Sequence, residues 1–158
     1  MALPELAVLA EGDLPTGEHW VLRAGGTSAD FYTFLETIHP DGTSDEGGMG
    51  GPPLPPGQLM SVYTGGSDRG LRRVVVRADP RVTRLRVQLA GAELELPPVA
   101  GRPGPGQAGL SFFATLLPRT AALVSVAAIG ADGQLLEPQQ LSGHEAAWQR
   151  FRRDDPAS

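Results

Sequence analysis

The sequence predicts an all-β protein built as an antiparallel sandwich, and three observations predict it. Turn residues recur from end to end, with 21 Gly and 15 Pro in 158 residues, which leaves little room for long helices. Between them lie short apolar runs of strand length, punctuated at regular intervals. Two of these runs fix each other's register as a hairpin from their side chains alone.

Taken in order, residues 1–16 form an N-terminal arm. Nine strands follow over 18–24, 31–38, 59–64, 71–77, 82–89, 92–96, 110–117, 122–129 and 134–137. The informative hairpin joins the fifth and sixth. Leu85, Val87 and Leu89 alternate with Arg84, Arg86 and Gln88. A two-residue loop at Ala90-Gly91 sets Val87 opposite Leu94, Leu85 opposite Leu96 and Arg86 opposite Glu95. A slip of one residue would set apolar side chains against charged ones, so the register is specified. Asp132-Gly133 predicts a second hairpin with a type I′ turn.

Near the end of the chain the period changes. Ser142-Gly-His-Glu145 reads as a capping box, and Trp148 and Phe151 share one helical face. A short C-terminal helix is expected over 142–153, with Trp148 packed on the sandwich. The whole chain, 1–158, reads as one domain.

Two segments fit no element. Asp41 to Gln58 holds six Gly and four Pro, and Pro97 to Gly109 holds four of each. The first exceeds the ~12–15 residues beyond which a structureless loop is uncommon. If successive strands alternate in direction, both segments lie at one end of the sandwich, with the turns at Asp79-Pro80 and Asp132-Gly133. Met49, Leu54 and Arg102 are then the candidate interaction residues of a loop rim.

Composition excludes several classes of function. The net charge of −5 argues against nucleic acid as a partner, since phosphate binding needs a basic surface. There is no Cys, hence no thiolate metal site. His19, His39 and His144 have no metal-ligand spacing. His144-Glu145-Ala-Ala-Trp148 puts Trp where a zinc helix requires its second His. Gly104-Pro-Gly106-Gln-Ala-Gly109 matches a dinucleotide fingerprint only as a string, because it leads into a strand and Pro105 lacks an amide proton. Ser67 lacks the second glycine of a nucleophile elbow. Asp41, Asp45 and Glu46 match no calcium loop. No catalytic residue, cofactor or metal is therefore assigned. No stretch has the ~20 apolar residues of a membrane helix, and the start of the chain is a poor signal peptide, so the cytoplasm is the expected location.

One charge asymmetry stands out. Residues 69–86 carry seven Arg against Asp79 alone, a net of +6. Arg73 and Arg77 are expected on one solvated strand face and Arg84 and Arg86 on another, paired with carboxylates. A basic patch for an acidic partner is the competing reading.

Four stretches, Arg81 to Gly91, Glu93 to Pro97, Leu110 to Pro118 and Val124 to Gly133, resemble a pattern in uncharacterised immunoglobulin-like β-sandwich proteins of high-GC bacteria. The resemblance covers the C-terminal third to half of the chain. It implies an immunoglobulin-like sandwich and carries no function; a partly open β-barrel is the alternative architecture. The expected function is a non-catalytic binding or interaction domain with a protein partner. The alternative is a small hydrolase or carbohydrate-active protein using scattered carboxylates.

Overall fold

The computed structural model describes residues 6–27, 29–66, 71–99 and 109–140. The helix expected over 142–153 and Arg102 lie outside them. The described chain is all β, with eleven strands: β1 (Ala7–Asp13), β2 (His19–Gly26), β3 (Phe31–Ile38), β4 (Ser44–Met49), β5 (Met60–Gly66), β6 (Leu71–Ala78), β7 (Arg84–Leu89), β8 (Ala92–Leu96), β9 (Ser111–Pro118), β10 (Leu123–Ile129) and β11 (Leu135–Gln140). They form three antiparallel sheets, none closed into a barrel: β1-β2-β3-β4, β5-β6-β9 and β11-β10-β7-β8.

The three sheets stack as layers. The β5-β6-β9 sheet lies in the middle, and the alternation of its side chains serves two cores. Val74, Val76, Met60, Phe113 and Leu117 pack against Leu85, Val87 and Val126 of the β7 sheet. Val75 and Phe112, on the opposite face, pack against Leu22, Phe31 and Leu35 of the first sheet. Strand β6 is therefore buried along nearly its whole length. Its uninterrupted Val74-Val75-Val76 run is what a strand covered on both faces requires.

All nine expected strands are present, and two more were not expected. Residues 7–13, within the segment read as an arm, form β1, which pairs with β2 through a bulge between Val8 and Ala10. Residues 44–49, within the segment read as structureless, form β4, which pairs with β3. The β7–β8 register is as derived: Leu85 opposite Leu96, Arg86 opposite Glu95, Val87 opposite Leu94. The turn at Asp132-Gly133 differs from expectation. Gly133 has φ of +79°, and no described residue other than glycine has a positive φ. A type I′ turn needs two such residues. The turn instead closes with Gly133 N donating to Gly130 O and Gly130 N donating to Gln134 O, and the ladder shifts at Ala128/Ile129. This is a type I turn with a glycine bulge, which suits the strand twist equally well.

One end of the stack collects the longest connections. Met60, Ala78 and Ser111 stand side by side there. Asp79 N donates to Leu59 O, and Thr83 N donates to Ile129 O. Residues 50–59, the 79–83 turn, the 130–134 turn, and 97–99 with 109 thus share one rim. Residues 41–43 do not. They turn between Ile38 and Ser44 at the opposite end, and β4 carries the chain back to the rim.

Candidate functional site

The rim is held by a buried arginine. Arg77 projects from β6 toward the first sheet and is 1% exposed. Its Nε donates to Pro53 O (2.7 Å) and its Nη1 to Phe31 O (2.9 Å) and Thr33 Oγ1 (3.2 Å). Its Nη2 reaches Gly50 O (3.1 Å), Gly51 O (3.4 Å) and Pro52 O (2.8 Å). The guanidinium also lies 5.3 Å from the Phe31 ring centroid, a cation–π contact. All five of its N–H directions meet an acceptor. Burial draws its pKa below the ordinary guanidinium value, yet it stays charged at neutral pH.

The sequence Gly50-Gly-Pro-Pro53 explains how four successive carbonyls converge on one cation. Gly51 has φ of +85°, which a side chain would disfavour. Pro52 and Pro53 have no N–H to leave unsatisfied in the turn. The same loop is tied from two other sides. Asp30 accepts from Gly51 N (3.3 Å) and from the Tyr32 hydroxyl (2.6 Å). Glu137 of β11 accepts from Leu59 N (2.7 Å). The segment is a fixed loop anchored to all three sheets.

A second buried arginine lies two positions back on the same face of β6, beyond Val75. Arg73 pairs with the Asp45 carboxylate, and Asp45 also meets His39 Nε2 at 2.9 Å. Arg73 and His39 side chains are almost fully buried. The solvated face expected for Arg73 and Arg77 is therefore a correction. Alternation places them together, but the first sheet covers that face. Arg72 is buried on the opposite face and donates to Ala121 O. The surface arginines of this stretch are paired as expected: Arg81 with Asp79, Arg84 with Glu95, and Arg86 with Glu93 and Glu95. No basic patch results among the described residues.

The expected rim residues also shift. Met49 ends β4 half-buried against the Leu22–Phe31–Leu35 core, where its sulfur accepts from Ser61 Oγ at 3.2 Å. Leu54 is half-buried in the clamped loop. Both side chains are partly exposed rather than fully so.

A pocket of about 180 Å3 opens between the first sheet and β9, lined by Leu14, Trp20, Leu35, Ala114, Thr115 and Leu116. It is smaller than the ~300 Å3 at which substrate pockets begin, and its lining has no ionisable group. It matches one apolar side chain. Among the described residues, no group of three or more His, Asp or Glu could hold a metal ion.

The outer face of the first sheet carries what the sequence reading missed. Tyr32 and Phe34 stand at alternate positions on β3, their rings 6.0 Å apart and 17° from parallel. Both reach toward the glycines of β4 and the residue that follows it. A Cβ on Gly48 would come within 2.7 Å of the Phe34 ring, and one on Gly50 within 2.9 Å of the Tyr32 ring. The glycines that make 41–58 read as a spacer are the floor on which the rings rest. Next along the same face, Glu36 and Glu46 are directly opposite each other. Glu36 accepts from Arg23 Nη1 at 2.8 Å.

At the far edge of this face His19 sits between two carboxylates, with Nδ1 2.8 Å from Asp13 and Nε2 3.2 Å from Glu11. The hydrogen bond to Asp13, aided by both negative charges and by the bond to Glu11, raises its pKa above the ordinary 6.5. The folded protein therefore holds this proton more tightly than the unfolded chain does. The stabilising contribution is complete below pH of about 6.5 and is lost as pH rises through the raised value. An NMR titration should show His19 titrating above 6.5, and Asp13→Asn should return it toward that figure. No change in the variant would show that Asp13 is not the cause.

Comparison of the chain with known protein families, curated proteins and solved structures finds no match. No helix of the described residues is long and apolar enough to cross a membrane.

Proposed function

We propose that the protein is a non-catalytic interaction domain of the immunoglobulin-like kind, acting on a protein partner in the cytoplasm through its rim. The observation that carries this reading is the Arg77 clamp. A buried cation that fixes four loop carbonyls removes the loop's conformational freedom in advance, and pre-organisation of this sort lowers the entropy lost on binding. Residues 54–58, which follow the clamped carbonyls, are then presented at a fixed position beside the 79–83 and 130–134 turns. Loops grouped at one end of a rigid sandwich are where such scaffolds carry recognition.

The carbohydrate-active alternative has one observation in its favour, the facing pair Glu36 and Glu46. A hydrolase needs one carboxylic acid and one carboxylate flanking a bond in a cleft. Here Glu36 is engaged by Arg23, and the pair stands on an open sheet face in water.

The test is a deletion that spares the clamp. Replacing Leu54–Gln58 by two glycines retains every carbonyl that Arg77 holds. The variant should unfold at nearly the wild-type urea concentration and lose capture of the native partner from a cell extract. Retained capture would place the contact elsewhere.

A further inference from the structure

We propose that the outer face of the first sheet, centred on Tyr32 and Phe34, is a docking surface for a basic, arginine-bearing segment of a partner protein. This surface adjoins the rim at Gly50, where the Tyr32 ring meets the clamped loop, but residues 54–58 are no part of it.

Three observations converge on that occupant. The first is the aromatic pair. The rings are near-parallel and half-buried, and each has an atom within 3 Å of where a Cβ on Gly48 or Gly50 would stand. Glycine inside a strand costs stability. Two of them under two aromatic rings make a flat platform that larger residues would tilt. A planar guanidinium stacks on such a platform better than a point-charge ammonium does.

The second is the sign of the face. Glu11, Asp13, Glu36 and Glu46 lie on it against two basic side chains among the described residues, Arg23, which stands opposite Phe34 and pairs with Glu36, and His19, which pairs with Asp13 and Glu11. The chain's arginine-rich stretch does not offset this, because Arg72, Arg73 and Arg77 are buried and the arginines of β7 face Glu93 and Glu95. Burial of the cations leaves the exposed charge acidic here, and complementarity selects a cationic partner.

The third is Glu46. It is exposed, directly opposite Glu36 on the neighbouring strand, and like charges in that relation are destabilising. Among the described residues, Arg23 engages Glu36 and not Glu46. An incoming guanidinium stacked on Phe34 would sit between the platform and Glu46 and relieve the repulsion.

The experiment compares two synthetic peptides of equal length and charge, one with three arginines and one with three lysines spaced by glycine, binding to the full chain by calorimetry. A neutral glucose hexasaccharide is the third probe. The arginine peptide should bind about five-fold more tightly than the lysine peptide, the ratio expected of ~1 kcal/mol. Phe34→Leu should remove that preference. Glu46→Gln, at an exposed position that should leave folding intact, should weaken both peptides and flatten their salt dependence. The loop-shortened variant should bind the arginine peptide as wild type does, which separates this surface from the rim. Equal binding of the two peptides, a preference that survives Phe34→Leu, or binding of the hexasaccharide in their place would each overturn the proposal.

Discussion

Replacing Arg77 with methionine should lower the stability of the protein by about 3–5 kcal/mol, measured as a fall in the urea midpoint with an unchanged slope. Methionine nearly matches the volume and keeps the contact with Phe31. What it removes is every donor to the carbonyls of Phe31, Gly50, Pro52 and Pro53. A buried acceptor left without a donor costs about 1–3 kcal/mol, and the loop must either open to water or keep several such groups. Arg77→Lys should recover part of the loss. It restores the charge, but its three donors radiate from one nitrogen and cannot span acceptors on both β3 and the loop. If Arg77→Met unfolds like wild type, the loop is not held by this side chain.

Val87→Asp should cost a similar amount for a different reason. Val87 is fully buried and faces Leu94 across the hairpin, with Val74, Val76 and Val126 in the same core. A carboxyl placed there has no partner, so it stays protonated or drives local unfolding, at a cost of several kcal/mol on the order given by transfer data. Its folded pKa is raised, so the deficit grows as pH rises above the unfolded value of about 3.9. Arg86→Ala on the neighbouring position should cost only about 0.2–1 kcal/mol, because that pair faces solvent. Urea melts of the two variants at pH 5 and pH 8 check both statements. A Val87→Asp protein as stable as wild type would reverse the facing of the whole hairpin.

The contrast shows which parts of the fold were legible. In β7–β8 the apolar and charged positions alternate in step, so only one register satisfies both, and the sequence contains the answer. Arg73 and Arg77 defeat the same reasoning. Alternation says that they share a face but not whether a third layer covers it. The signal was the Val74-Val75-Val76 run between them, apolar on both faces at once. Strand β4, Ser-Asp-Glu-Gly-Gly-Met, has no strand propensity of its own. It forms because β3 offers it an edge and because the rings of Tyr32 and Phe34 need glycine beneath them. For the same reason the aromatic platform was invisible: its floor lies across a turn from its rings, and only the pairing of β3 with β4 joins them. At Asp132-Gly133 the dipeptide marks the turn correctly, while the turn type follows from a bulge that the dipeptide does not encode.

The order of the layers also sets a timetable for a chain being made. The first sheet is complete once Met49 has been added. Its inner face, with Leu22, Phe31 and Leu35, is covered only when β6 and then β9 have followed, and β9 ends at Pro118. At about 5–20 residues per second that interval is on the order of 3–14 s. Through it, the emerging half presents a greasy surface whose lid has yet to be translated. The arginine that locks the rim, at position 77, arrives midway through the wait.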